Sequence, residues 1–197
     1  ADNLKVVVHE YVHSWQMVLG AIDIHSQPLG NWMNEGLAEY VAYSALADAG
    51  LVKWRDAQVF MTRASAGVET DHPLEAFGST QTPAWAGHVG FVALDWLIDD
   101  TGTGIVAIKT LAERIAAGRT QKQAFADTFG LELDDFYRQF DAWAQEIKKN
   151  PDRALARRPA LDMTGGASRQ ATQGDARAAE KCVQAALNAH GHPVGAV

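Results

Sequence analysis

The chain has 197 residues, a formal net charge of −7, 47% apolar and 21% charged content. That length suits one domain with a real core, or one domain plus a tail, at ordinary globular composition. The acidic balance argues against nucleic acid or an anionic membrane surface as the main partner, no run approaches the length of a transmembrane helix, and the single cysteine, Cys182, excludes an internal disulfide.

In chain order, residues 3–19 read as a first helix. Asp2 or Asn3 is its candidate N-cap, and Leu4, Val7, Val8, Tyr11, Val12 and Trp15 lie at helical spacing. Gly20 closes it, and residues 20–30 form a loop broken by Pro28 and Gly30. Asn31 is expected to cap a second helix running to about Ala47, along which lie Trp32, Leu37, Tyr40, Val41 and Ser44. A third helix is expected from Leu51 to about Ala64, followed by a long Gly-, Ser-, Thr- and Pro-rich loop over 65–83.

Helical periodicity returns from Ala84 to Ile98, and Asp99 to Gly104 reads as a turn. Ile105–Ala117, Thr120–Phe129 and Leu133–Lys149 follow as helices. Phe136, Phe140, Trp143 and Ile147 line the last of them. No segment alternates as a convincing strand, so the expected class is mainly α, with little or no β-sheet. The folded domain is expected to span 1–150. Residues 151–172 read as a linker of disordered character with Arg157-Arg158 as a solvated pair, and 173–197 as a short helix, carrying Cys182, and a tail.

The stretch with chemical content is His9-Glu10-Tyr11-Val12-His13. Positions i and i+4 of a helix share a face one turn apart, so His9 and His13 can aim two imidazoles at one Zn²⁺. Glu10, beside them, is placed to take a proton from the water such a metal activates. A catalytic zinc needs three protein ligands and one open position. The second helix offers Glu35 as the third, 21 residues after the His13 position is passed (residues 14–34), on an antiparallel partner helix. Glu39, one turn further on, is placed to accept the remaining ring N–H of one ligating histidine and fix its orientation. The bland alternative for both glutamates is a solvated helix face.

His9-Glu10-x-x-His13, followed by Trp32-x-Asn34-Glu35-Gly36-x-Ala38-Glu39-Tyr40, closely resembles the gluzincin metallopeptidases, the clan of thermolysin and of aminopeptidase N. The wording is most similar to the aminopeptidases and the broader peptidase MA-like domains. The resemblance covers about residues 3–145 and includes Gly90 to Leu97, similar to the helix that follows the substrate-side tyrosine in these enzymes. It implies the helical half of a zincin-like domain, with His9, His13 and Glu35 as zinc ligands, Glu10 as general base, Glu39 as the acid behind a ligand, and a peptide or protein as substrate.

There are departures. The stretch between His13 and Glu35 is longer than in the best-known members, and the expected transition-state tyrosine is replaced by Gly87. His88 is the candidate to donate a hydrogen bond to the oxyanion in its place, the alternative being a partly buried helix histidine. The clan also binds substrate along a sheet that precedes the metal helix. An upstream domain or partner subunit is therefore expected to complete the groove, and a zinc-binding helical fragment or interaction module is the rival to a working peptidase. By analogy with many such peptidases, the chain is expected to be exported. His25 and His72 read as exposed loop residues, and His190 and His192 as tail residues.

Overall fold

The computed structural model describes residues 2–18, 30–68, 73–78 and 86–163. Among them there are eight α-helices, one 3-10 turn and no strand: α1 (Asp2–Val18), α2 (Asn31–Asp48), α3 (Trp54–Ala66), the 3-10 turn Leu74–Gly78, α4 (Ala86–Thr101), α5 (Val106–Ala116), α6 (Gln121–Phe129), α7 (Leu133–Lys149) and α8 (Pro151–Ala156). The mainly α class is as the sequence implied. Expectations for Gly20, His25, His72, Cys182, His190 and His192 lie outside the described residues.

The centre of the fold is the crossing of α2 and α4. It is set by two glycines. A Cβ on Gly36 would collide with the backbone of Gly90, and one on Gly90 would collide with the Trp32 carbonyl. Only hydrogen at both positions lets the backbones meet this closely. α1 lies antiparallel on α2, as the falling partner numbers show: Lys5 meets Glu39, His9 and His13 meet Glu35, and Gln16 meets Asn34.

Beyond the α2–α4 crossing lies an aromatic core. Trp96 stacks within 5.0 Å of Trp143 and 6.1 Å of Phe136, which also meets Trp32 and Phe125. Offset and edge contacts of this kind add to the area they bury. Phe136, Phe140, Trp143 and Ile147, spaced as α7's inner stripe, are all buried. The ring N–H groups are satisfied: Trp32 Nε1 donates to Tyr137 Oη at 3.3 Å, and Trp143 Nε1 to the Ala154 carbonyl at 3.3 Å.

Several boundaries differ from expectation for local reasons. Gly30, at φ 72°, is the N-cap of α2, and Asn31 is already inside the helix and buried. α3 starts at Trp54, three residues later than expected. Gly50 turns left-handed at φ 70°, and the Leu51 and Gly50 amides close back on the Leu46 and Ala47 carbonyls. This is a Schellman end that holds Leu51 outside either helix. In the segment read as loop, Leu74 is buried and its amide donates to Asp141 Oδ1 at 2.9 Å, pinning the 3-10 turn to α7.

The largest correction is at the end of the domain. Asn150 ends α7 as expected, but its side chain caps α8 by accepting from the Arg153 amide, with Pro151 at the first helical position. The following strap through Met163 then crosses α4. Arg158 is no solvated arginine: it pairs with Asp95 at 2.9 Å and Asp99 at 2.6 Å. The Leu161 amide donates to Asp100 Oδ2 at 2.6 Å, Trp96 Nε1 donates to the Pro159 carbonyl at 2.8 Å, and Leu161 is buried. The packed domain therefore extends to at least residue 163. The same contacts keep Asp99, Asp100 and Thr101, expected as a turn, in the last turn of α4.

Candidate metal centre

α1 presents its ligands by plain helical arithmetic. His9 and His13 lie one turn apart, with their rings edge-on at 4.7 Å between centroids. Glu35 rises from the facing α2. His9 Nε2 and His13 Nε2 stand 3.0 Å apart, and Glu35 Oε2 is 3.5 Å from the first and 3.6 Å from the second. Among the described residues these three are the group of ligand atoms that lie close enough together to hold one metal ion. Atoms bound at about 2.0 Å in a tetrahedral zinc site stand roughly 3.3 Å from each other. The donor set, two imidazole nitrogens and one carboxylate oxygen, and its spacing both fit zinc.

The ionisation of the three groups follows from this proximity. The Glu35 carboxylate beside it, and then that of Glu39, raise the His9 pKa to about 9 against the opposing cost of burial. Glu35 also raises His13. In return, His13 and His9 hold Glu35 down to about 2. The Glu35 carboxylate thus stands against both imidazoles, and a cation held by the two Nε2 atoms would need them free of protons.

Behind the ligands the two histidines are treated differently. His9 Nδ1 faces Glu39 Oε1 at 3.4 Å, an ion-pair distance, and forms no hydrogen bond to it. Glu39 is buried. Burial pushes its carboxyl up, but His9 and Lys5 outweigh that and leave it below the usual range. Lys5 donates to Glu39 Oε1 at 2.7 Å, while Glu39 Oε2 is buried with no partner. His13 Nδ1 instead meets Gln16 Oε1 at 2.8 Å, and Gln16 Nε2 donates to the Asn34 carbonyl at 2.8 Å.

Lys5 and Gln16 escaped the sequence argument. Their signal is faint but legible: they sit four before His9 and three after His13, on the ligand face of α1. Nothing in the sequence says what they would meet.

Glu10 is exposed on α1, about 60° round the helix from His13 by helical geometry. His88 is half-buried on α4, edge-on to Phe60 at 6.3 Å, and burial lowers its pKa. It is not one of the clustered groups. Gly87, in the place of the expected tyrosine, is buried, and a Cβ there would stand 3.0 Å from Glu39 Cγ. Any larger residue at 87 would press on the carboxylate behind His9.

The chain matches no protein-family model, no curated protein and no solved structure. Among the described residues no helix is long and apolar enough to cross a membrane.

Proposed function

We propose that the chain is a zinc-dependent metallopeptidase of the gluzincin type, with His9, His13 and Glu35 as the residues that would hold the metal. The observation that carries the reading is the convergence of His9 Nε2, His13 Nε2 and Glu35 Oε2, 3.0 to 3.6 Å apart, from two antiparallel helices. It is supported by Glu39 behind His9 and by the resemblance of both motifs to that clan. Zinc, when bound, would supply a Lewis acid for a peptide carbonyl and for water. Glu10, exposed beside His9, accepts a proton from water and returns it to the leaving amine. Glu39, 3.4 Å from His9 Nδ1, is the acid that would orient that ring once metal is bound.

A second reading is a zinc-binding helical module that works only with another domain or subunit. Two observations favour it: Gly87 stands where the clan carries its transition-state donor, and α1 exposes Leu4, Val7, Tyr11 and Val18 along one stripe. One pair of measurements separates the two. Metal analysis is combined with a broad peptide-hydrolysis assay on wild type and Glu10→Gln. Zinc with cleavage, and cleavage abolished in Glu10→Gln with zinc retained, is the peptidase result. Zinc without cleavage in the wild type is the module result, and cleavage that survives Glu10→Gln removes Glu10 from its role.

A further inference from the structure

We infer that Gln16 fixes the tautomer of His13, and so is the positioning residue that aims this histidine at the metal; the inference rests on the zinc-site reading above. Gln16 is wholly buried, on α1, three residues after His13. A buried amide must satisfy both its ends. One end is unambiguous: the Asn34 carbonyl, 2.8 Å away, can only accept, so the group facing it is the Gln16 NH₂. The other end is then the oxygen, 2.8 Å from His13 Nδ1. An oxygen there requires a hydrogen on Nδ1. The neutral ring therefore carries its lone pair on Nε2, the atom that faces His9 Nε2 at 3.0 Å and Glu35 Oε2 at 3.6 Å.

The same amide ties two ligands together. Asn34 immediately precedes Glu35, so the bond that orients Gln16 is made to the backbone that carries the third ligand. Gln16 and Val12 are the buried side chains of α1. One is apolar packing, and the other is the polar clasp between the helix bearing two ligands and the helix bearing the third. A shift of α1 along α2 breaks the Asn34 bond and frees the His13 ring at once. His9 has no such anchor: its Nδ1 looks to Glu39, whose nearer oxygen Lys5 already holds.

The test uses the full chain loaded with one equivalent of zinc. In histidine-labelled wild type, long-range proton–nitrogen NMR correlations are expected to show His13 protonated at Nδ1 and metal-bound at Nε2. Coordination through Nδ1 would overturn the inference, and this needs no variant. Gln16→Met keeps the volume and removes both polar ends. With helical content unchanged by circular dichroism, its zinc affinity, read by competition with a chromophoric chelator, is expected to fall about 10- to 100-fold. A folded Gln16→Met that binds zinc as tightly as wild type overturns it. Wild type that takes up no zinc fails at the site itself and takes the inference with it, a result distinct from any confined to the variant.

Discussion

α1 and the α2–α4 pair are neighbours built on opposite terms. α2 and α4 meet backbone to backbone through Gly36 and Gly90, and most of their side chains are buried. α1 has α2 as its main neighbour, buries Val12 and Gln16, and leaves Leu4, Val7, Tyr11 and Val18 exposed. Yet α1 carries two of the three candidate ligands. The lesson is a division of labour: the crossing fixes Glu35 and Glu39 in a rigid frame, while the histidines ride on a helix held by a short polar seam. Lys5–Glu39, the His–Glu35 cluster and Gln16–Asn34 make up that seam. A metal at the cluster would be a staple between the two regions as well as a reagent.

The comparison can be broken hardest at the rigid side. Gly90→Ala places a methyl against the Trp32 carbonyl, with backbone on both sides and no side chain free to yield. A loss of about 3 kcal/mol or more in urea-unfolding stability is expected. A variant as stable as wild type would show that the helices do not cross this closely.

Chelation probes the seam. Removing metal from the loaded protein should speed amide hydrogen exchange in α1 by tenfold or more and leave α7 and its Trp96 contacts unchanged. Uniform change across both regions, or none in α1, would deny the staple.

A third prediction concerns the frame alone. Burial pushes the Asp95 carboxyl up to about 6, despite Arg158 and Gln58 beside it. An acid whose folded pKa is raised destabilises the fold when ionised. Its contribution therefore makes the protein more stable as pH falls through about 6 toward the unfolded value near 4, by up to about 3 kcal/mol. Glu35, held down to about 2, acts oppositely but only below its unfolded value of 4.5. A carboxyl-carbon NMR titration of Asp95 should show a midpoint near 6, and a midpoint near 4 would contradict the account.

The smallest effect belongs to the open side of α1. Tyr11→Ser, at a residue 73% exposed, should change stability by no more than about 0.5 kcal/mol. A loss above about 2 kcal/mol by thermal unfolding would mean that the stripe is covered in solution.

Much of this was legible in the sequence, and the reasons differ by region. α7 was bounded correctly because its stripe, Phe136 to Ile147, repeats at helical spacing and Asn150-Pro151 ends it. Thr120 marked the start of α6 as its cap, and the structure adds the reciprocal bond from Gln123 that completes a capping box. The meeting of His9, His13 and Glu35 was legible because helical spacing within α1 and within α2 puts each set on one face. The strap after residue 150 was not legible. Its polar, Pro-bearing composition looks unstructured, and its order comes from Asp95, Asp99 and Asp100, more than fifty residues away. Gln16 and Lys5 were hidden for the same reason: a polar residue on a helix face acquires meaning only from what faces it.

The central claim is that His9, His13 and Glu35 form one metal site across two helices. Its most direct test is the zinc stoichiometry of the purified chain after loading and desalting, with Glu35→Ala and His13→Ala measured alongside. The account predicts one zinc per wild-type chain and its loss in both folded variants. Wild type without zinc, or stoichiometric zinc in either variant, would contradict it.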